Sequence, residues 1–177
     1  NPTRLVTVPA VALTPADWTV ADLGCGTGRS IGELAPHVQH VIGIDNTPAM
    51  VKAARQRTAS LDNVTIRKGE LEALPIEDAA ADAALMVLVL TYVGDIATAL
   101  AEAARVIKPG GRLVIIDLLH HDRADFRRDM NQLHMGFDPD ELADELKRAG
   151  FNQAHCQPLA PQPEARAPAL LLATADR

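Results

Sequence analysis

Val20-Ala21-Asp22-Leu23-Gly24-Cys25-Gly26-Thr27-Gly28 sets three glycines at alternate positions directly behind a short apolar run, with a helix-like stretch after them. Glycines in such a loop let the backbone turn with positive φ and approach a ligand closely, while the helix that follows starts with unpaired N–H groups. That chemistry suits a nucleotide-type ligand. A diphosphate cradle expects G-x-G-x-x-G/A, but here Arg29 stands three residues after Gly26, and Gly28 comes one residue too early. Asp22, just ahead of the first glycine, adds negative charge where a phosphate would have to bind. The same acid suits a ligand with an ammonium group.

Three further segments stand at positions suited to the same ligand. Val41-Ile42-Gly43-Ile44-Asp45 ends on an acid about 20 residues beyond the first glycine, where a carboxylate accepts hydrogen bonds from ribose hydroxyls. Gly69-Glu70-Leu71 offers an acid for an adenine amino group and an apolar side chain to cover the ring. Met86-Val87-Leu88 closes a fourth apolar run. Plainer roles stand beside these: Asp45 as a helix cap, Glu70 as a solvated acid next to Lys68 and Glu72, and Met86 and Val87 as core.

The elements that must position these residues alternate regularly. Thr19–Leu23, His40–Ile44, Val64–Arg67, Ala83–Val87 and Arg112–Asp117 read as strands, and 28–35, 47–60 and 96–107 read as helices. Asp45 or Thr47 can cap the second helix, with Pro48 in its first turn. Lys108-Pro109-Gly110-Gly111 reads as a helix stop and a turn. Strand–helix alternation calls for a parallel sheet covered by helices on both faces. Under that arrangement four strand ends open on one crevice, the usual ligand site of such sheets. A polar stretch, 118–136, precedes a helix at 138–149. Two last strands, 153–157 and 169–174, are joined by a loop holding Pro158, Pro161, Pro163 and Pro168 and pair most simply as an antiparallel hairpin. Residues 1–18 read as an extended lead-in or linker remnant, with 19–177 as one domain.

Composition narrows the partners. The chain has 177 residues, with 17 Lys and Arg against 23 Asp and Glu, a formal charge of −6 that argues against direct nucleic-acid binding. No apolar run reaches the roughly 20 residues of a membrane span, and no signal peptide is visible. Two cysteines, Cys25 and Cys156, are too few for a disulfide framework or a cysteine-rich zinc site, which makes a reducing cytoplasm the default location. The first residue is Asn, which suggests that a segment precedes it.

His120, His121 and His134, near Asp117 and Asp122, are candidates for a general base or a substrate contact. Their spacing matches no compact ligand motif, so no metal is assigned, and solvated histidines are the default reading. Tyr92, the only tyrosine, follows the fourth strand, where substrate contact and simple packing are equally open.

Taken together, Asp22–Gly28, Val41–Asp45, Gly69-Glu70-Leu71 with Leu74-Pro75, and Arg105–Leu113 resemble the motif set of the class I S-adenosylmethionine-dependent methyltransferases. Leu118–Arg123 and His134–Phe137 are similar to the UbiE-type branch and to methyltransferase domains attached to ArsR-type regulators. The resemblance implies an α/β, doubly wound, Rossmann-like fold: a seven-stranded sheet of order 3-2-1-4-5-7-6 with strand 7 antiparallel. It implies S-adenosylmethionine as cofactor. Asp22, Gly24, Cys25, Gly26, Thr27 and Gly28 would meet its methionine part and Asp45 its ribose. Asn46 and Met50 would flank the adenosine, Glu70 and Leu71 would meet the adenine, and Val87 would lie near the sulfonium. Glu70 stands where the family usually has Asp. The reading that follows is methyl transfer to an unidentified small molecule, with Tyr92, His120 and His121 as candidate substrate contacts and no catalytic residue named. The alternative is a cofactor-binding sensor domain behind a fused N-terminal DNA-binding domain. A nicotinamide oxidoreductase is disfavoured by Arg29, and an arsenic methyltransferase by the missing cysteines.

Overall fold

A computed structural model of the chain describes residues 15–160 and 167–177. Most of the lead-in assigned to residues 1–18, and Pro161 and Pro163 of the proline-rich loop, lie outside them. Seven strands form one sheet: β1 (Thr19–Leu23), β2 (His40–Asp45), β3 (Val64–Lys68), β4 (Ala81–Val87), β5 (Ile107–Leu118), β6 (Asn152–Pro158) and β7 (Leu170–Asp176). Their order is β3-β2-β1-β4-β5-β7-β6. β7 runs antiparallel to both β5 and β6, whereas the other pairings are parallel. The sheet therefore has the order and strand directions that the motif resemblance implies.

Five helices accompany the strands among the described residues: α1 (Arg29–Leu34), α2 (Pro48–Arg57), α3 (Ile96–Val106), α4 (Ala124–Asp129) and α5 (Pro139–Arg148). Period-two alternation along the strands feeds two cores. Val20, Val41 and Leu85 face α1 and α2, where they meet Ile31, Leu34, Val51 and Ala54. Ala21, Leu23, Ile42, Ile44, Ala84, Met86 and Ile115 join Leu100 and Ala103 of α3 and Leu142 and Leu146 of α5. With both faces covered, the strands need apolar side chains throughout.

Two local departures from the sequence reading have physical causes. Lys108–Gly111 belongs to the start of β5 and is not a free turn. There the β4–β5 register jumps from Ala81 opposite Ile107 to Ala83 opposite Arg112. The chain end holds this excursion in the sheet, since Gly110 N donates to Arg177 O at 2.7 Å and Arg177 N to Gly111 O at 2.9 Å. The polar stretch at 118–136 also contains the short helix α4, whose residues are none of them buried, so no apolar periodicity announces it.

Candidate functional site

The carboxyl ends of β1, β2 and β4 open on a cleft of about 670 Å³. Asp22, Gly24, Cys25 and Gly26 form its floor, and Asp45, Asn46, Thr47 and Met50 one side. Val87, Leu88, Val89 and Tyr92 make the other side, together with Asn131 and Leu133.

The floor is shaped by bonds between β1 and β2. Gly24 N and Cys25 N both donate to Ile44 O at 2.8 Å, and Gly26 N donates to the Asp45 Oδ2 carboxylate at 2.9 Å. Three successive amides of the glycine loop are thus already bonded, and the Asp22 and Asp45 carboxylates line the cleft together with Arg29. This is the opposite of a phosphate nest, in which such amides stay free for the ligand. Gly24 has φ +83°, and a Cβ there would overlap the Val89 side chain. Gly26 has φ +53°, and a Cβ there would meet nothing within 4 Å. It leaves open the space against the floor into which a ligand can settle.

Asp22 is 1% exposed, and its Oδ2 accepts a 2.5 Å hydrogen bond from Ser30 Oγ. Burial pushes its carboxyl up to about 6, with Ser30 pulling the other way and Asp45 adding repulsion. A cationic ligand above the floor would favour its ionised form. Asp45 occupies both its oxygens locally, as Oδ1 accepts from Thr47 N at 2.9 Å. Thr47 holds the N-cap position of α2 without a side-chain capping bond, and Asp45 instead fixes the N–H of Thr47 itself, just ahead of the helix. Cys25 is buried, and desolvation with Asp22 and Asp45 nearby pushes its thiol up to about 12. It is a small floor residue, not a nucleophile.

The other residues named from sequence fall into distinct places. Asn46 Nδ2 donates to Glu70 Oε2 at 2.9 Å, so Glu70 reaches the cleft through Asn46 and is not itself part of its lining. Leu71 is buried in the core with Leu74 and Ile76. Gly28 faces α2, where a Cβ would press on the Ala54 backbone at 3.1 Å. Thr27 is exposed, and its carbonyl accepts from Arg57 Nε at 3.0 Å. Tyr92 lines the cleft, but His120 and His121 do not. His120 lines a separate cleft with His134 and Phe137. His121 stacks edge-on to Phe126 at 5.9 Å and accepts from Arg123 N through Nδ1. Burial, with Arg123 and His120 nearby, holds its pKa below the ordinary histidine value. No cluster of three or more potential ligands able to hold a metal occurs among the described residues.

Sequence reasoning missed Arg29, Ser30, Val89, Asn131 and Leu133 as lining residues, and read Thr47 only as a helix cap. Ser30 lies eight residues after Asp22, across the glycine loop, and no sequence pattern links the two. Leu88, directly after β4, has φ +54°, a conformation bulky residues seldom adopt and that clusters at functional sites. Asn131 and Leu133 come from the stretch without periodicity.

This floor of carboxylates, with its amides spent on β2, fits an adenosyl ligand carrying positive charge. The family described as "Methyltransferase domain" matches residues 21–115, which takes in the glycine loop, the Asp45 strand end and β4. The chain belongs to that family. Its class I members use S-adenosylmethionine, and that is the cofactor here. A protein of transposon TN4556 from Streptomyces fradiae is 45% identical over 115 residues, 63% of this chain and 33% of that protein. A demethylmenaquinone methyltransferase of Tropheryma whipplei is 43% identical over 104 residues, 59% of this chain and 43% of the relative. The chain thus spans less than half the length of these curated relatives. Among solved structures, an S-adenosylmethionine-dependent methyltransferase from Mesorhizobium loti superposes with a TM-score of 0.79. It does so over 96% of each chain at 22% identity, a likeness of fold. No helix among the described residues is long and apolar enough to cross a membrane.

Proposed function

We propose that this chain binds S-adenosylmethionine over the Gly24–Gly26 floor and transfers its methyl group to a small-molecule acceptor entering beside Tyr92. The observation that carries the reading is the bonding of Gly24 N, Cys25 N and Gly26 N to Ile44 O and Asp45, which leaves acids facing the ligand. When bound, the cofactor supplies an electrophilic methyl carbon on a sulfonium.

The chain's own residues bind and orient. Asp22 lies under the cationic methionine end beside Gly24, Cys25, Gly26, Thr27 and Gly28. Asp45 takes the ribose hydroxyls. Asn46, braced by Glu70, and Met50 flank the adenosine, with Leu71 behind the adenine and Val87 beside the sulfonium. Val87, Leu88 and Val89 keep water from the reacting side. Alignment of acceptor, methyl and leaving sulfur supplies much of the rate for an acceptor that is already nucleophilic, so no protein base is assigned. Among the candidate acceptor contacts Tyr92 lies in the cleft wall. Met50, Tyr92 and Leu133 are 40%, 42% and 56% exposed at the mouth, which favours an acceptor with apolar surface. Residues 19–177 are taken as the methyltransferase domain, 1–18 as its lead-in and the cytoplasm as its location.

The test is incubation with methyl-tritiated S-adenosylmethionine and a panel of 2-naphthol, 2-naphthalenethiol and hexylamine. Label passing to an extractable product together with release of S-adenosylhomocysteine supports transfer. Cofactor binding with no label transferred to any acceptor, and a winged-helix segment encoded directly upstream, would favour the sensor reading.

A further inference from the structure

Tyr92 and Leu133 project apolar side chains at the cleft mouth while remaining half-exposed, so little packing fixes them. Their placement must come from the backbone that carries them, and that backbone is tied down by a small polar network. Asp117, near the end of β5, is fully buried. Its Oδ2 accepts from Leu90 N at 2.9 Å and its Oδ1 from Leu118 N at 2.8 Å. Leu90 opens the 3-10 turn Leu90–Tyr92. The carbonyl of Thr91, itself fully buried, accepts from both Leu133 N at 2.9 Å and His134 N at 3.2 Å. His134 Nε2 then meets Val93 O at 2.8 Å; a carbonyl can only accept, so that nitrogen carries the proton and donates. The His134 ring lies 5.8 Å from that of Phe137.

We propose that Asp117 and His134 are positioning residues for the acceptor-side wall, together fixing Tyr92 and Leu133 while leaving the cofactor floor to a separate set of bonds. The two sets share no residue. The floor rests on Ile44 O, Asp45, Thr47 N and the Ser30–Asp22 pair; the wall rests on Asp117, Thr91 O and Val93 O. Asn at position 117 would turn one acceptor into a donor facing a buried backbone N–H, which leaves that N–H unpaired. Ala at position 134 would remove one of the three bonds that hold the Asn131–His134 strip to Thr91 O and Val93 O. The inference rests on the proposed function only in calling this wall the acceptor side.

Tyr92 is the sole tyrosine, so 3-fluorotyrosine labelling of the full chain places one fluorine reporter on the wall. The experiment compares the 19F spectrum with calorimetric S-adenosylhomocysteine affinity in wild type, Asp117→Asn and His134→Ala. Leu146→Ala, fully buried in α5, serves as a control for general destabilisation. The expected result is one narrow line in wild type and in Leu146→Ala, and a broadened or doubled line in both wall variants. Ligand affinity should stay within about twofold throughout. A Tyr92 line unchanged in the wall variants, or broadened equally in Leu146→Ala, overturns the proposal, as does affinity falling tenfold with the wall. Should Asp117→Asn fail to fold, His134→Ala alone decides. Absence of S-adenosylhomocysteine binding in wild type would sink the proposed function, while the fluorine line would still judge the wall.

Discussion

At the scale of single residues, Asp22 and Asp45 divide one task. Asp22 is a buried acid whose carboxyl sits at about 6 in the folded chain against an ordinary 3.8. Between those values the folded chain keeps a proton that the unfolded chain has lost, so this group's contribution to stability falls as pH rises through the window. The gap corresponds to at most about 3 kcal/mol. Asp22→Asn should therefore raise unfolding free energy at pH 7.5 by roughly 1–3 kcal/mol. The gain should vanish below about pH 4, where both forms are neutral. Urea titrations at the two pH values check this, and an equal gain at both would refute the burial argument. The same variant should bind S-adenosylmethionine more weakly, a trade of function against stability. Asp45 acts through hydrogen bonds, holding Gly26 N and Thr47 N while lining the cleft. Asp45→Ala should weaken S-adenosylhomocysteine by about 1–3 kcal/mol, read by calorimetry. Unchanged affinity in a folded variant would remove the ribose role.

At the scale of elements, the glycine loop works because β1 and β4 converge on it. Gly24 combines φ +83° with the Val89 side chain directly against the position a Cβ would take. Gly24→Ala should lower stability by about 1–3 kcal/mol and reduce cofactor affinity as well, since Val89 must shift into the cleft. Paired thermal melts and titrations test it, and a neutral result would mean that the loop relaxes freely. The loop and the strand ends were legible in the sequence because glycine spacing and apolar runs are local signals. The wall was not. Leu133 is held at the cleft by a tertiary bond to Thr91 O, Asn131 N bonds locally to Arg128 O, and no periodicity marks the segment that carries them. The histidines were misleading for a related reason. Adjacent residues on an extended segment point to different sides, so His120 and His121 serve a second cleft and the Phe126 ring.

For the molecule as a whole, two cores on opposite faces separate support from chemistry. Leu146 is fully buried on the α3–α5 face and does not line the cleft. Leu146→Ala should cost about 2–5 kcal/mol of stability. It should leave cofactor affinity unaltered while the chain stays folded, a pairing that denaturation and titration can read together. The sheet order followed from the motif resemblance, and the two-sided burial from uninterrupted apolar strands such as Leu113–Ile116. The account's central claim is that this cleft is built for an adenosyl sulfonium and makes no place for a diphosphate. Calorimetric titration of the chain with S-adenosylmethionine, S-adenosylhomocysteine and NAD tests it most directly. Saturable binding of both sulfur ligands at one site per chain, with no heat from NAD, is the expected result; tight NAD binding with neither sulfur ligand bound would contradict it.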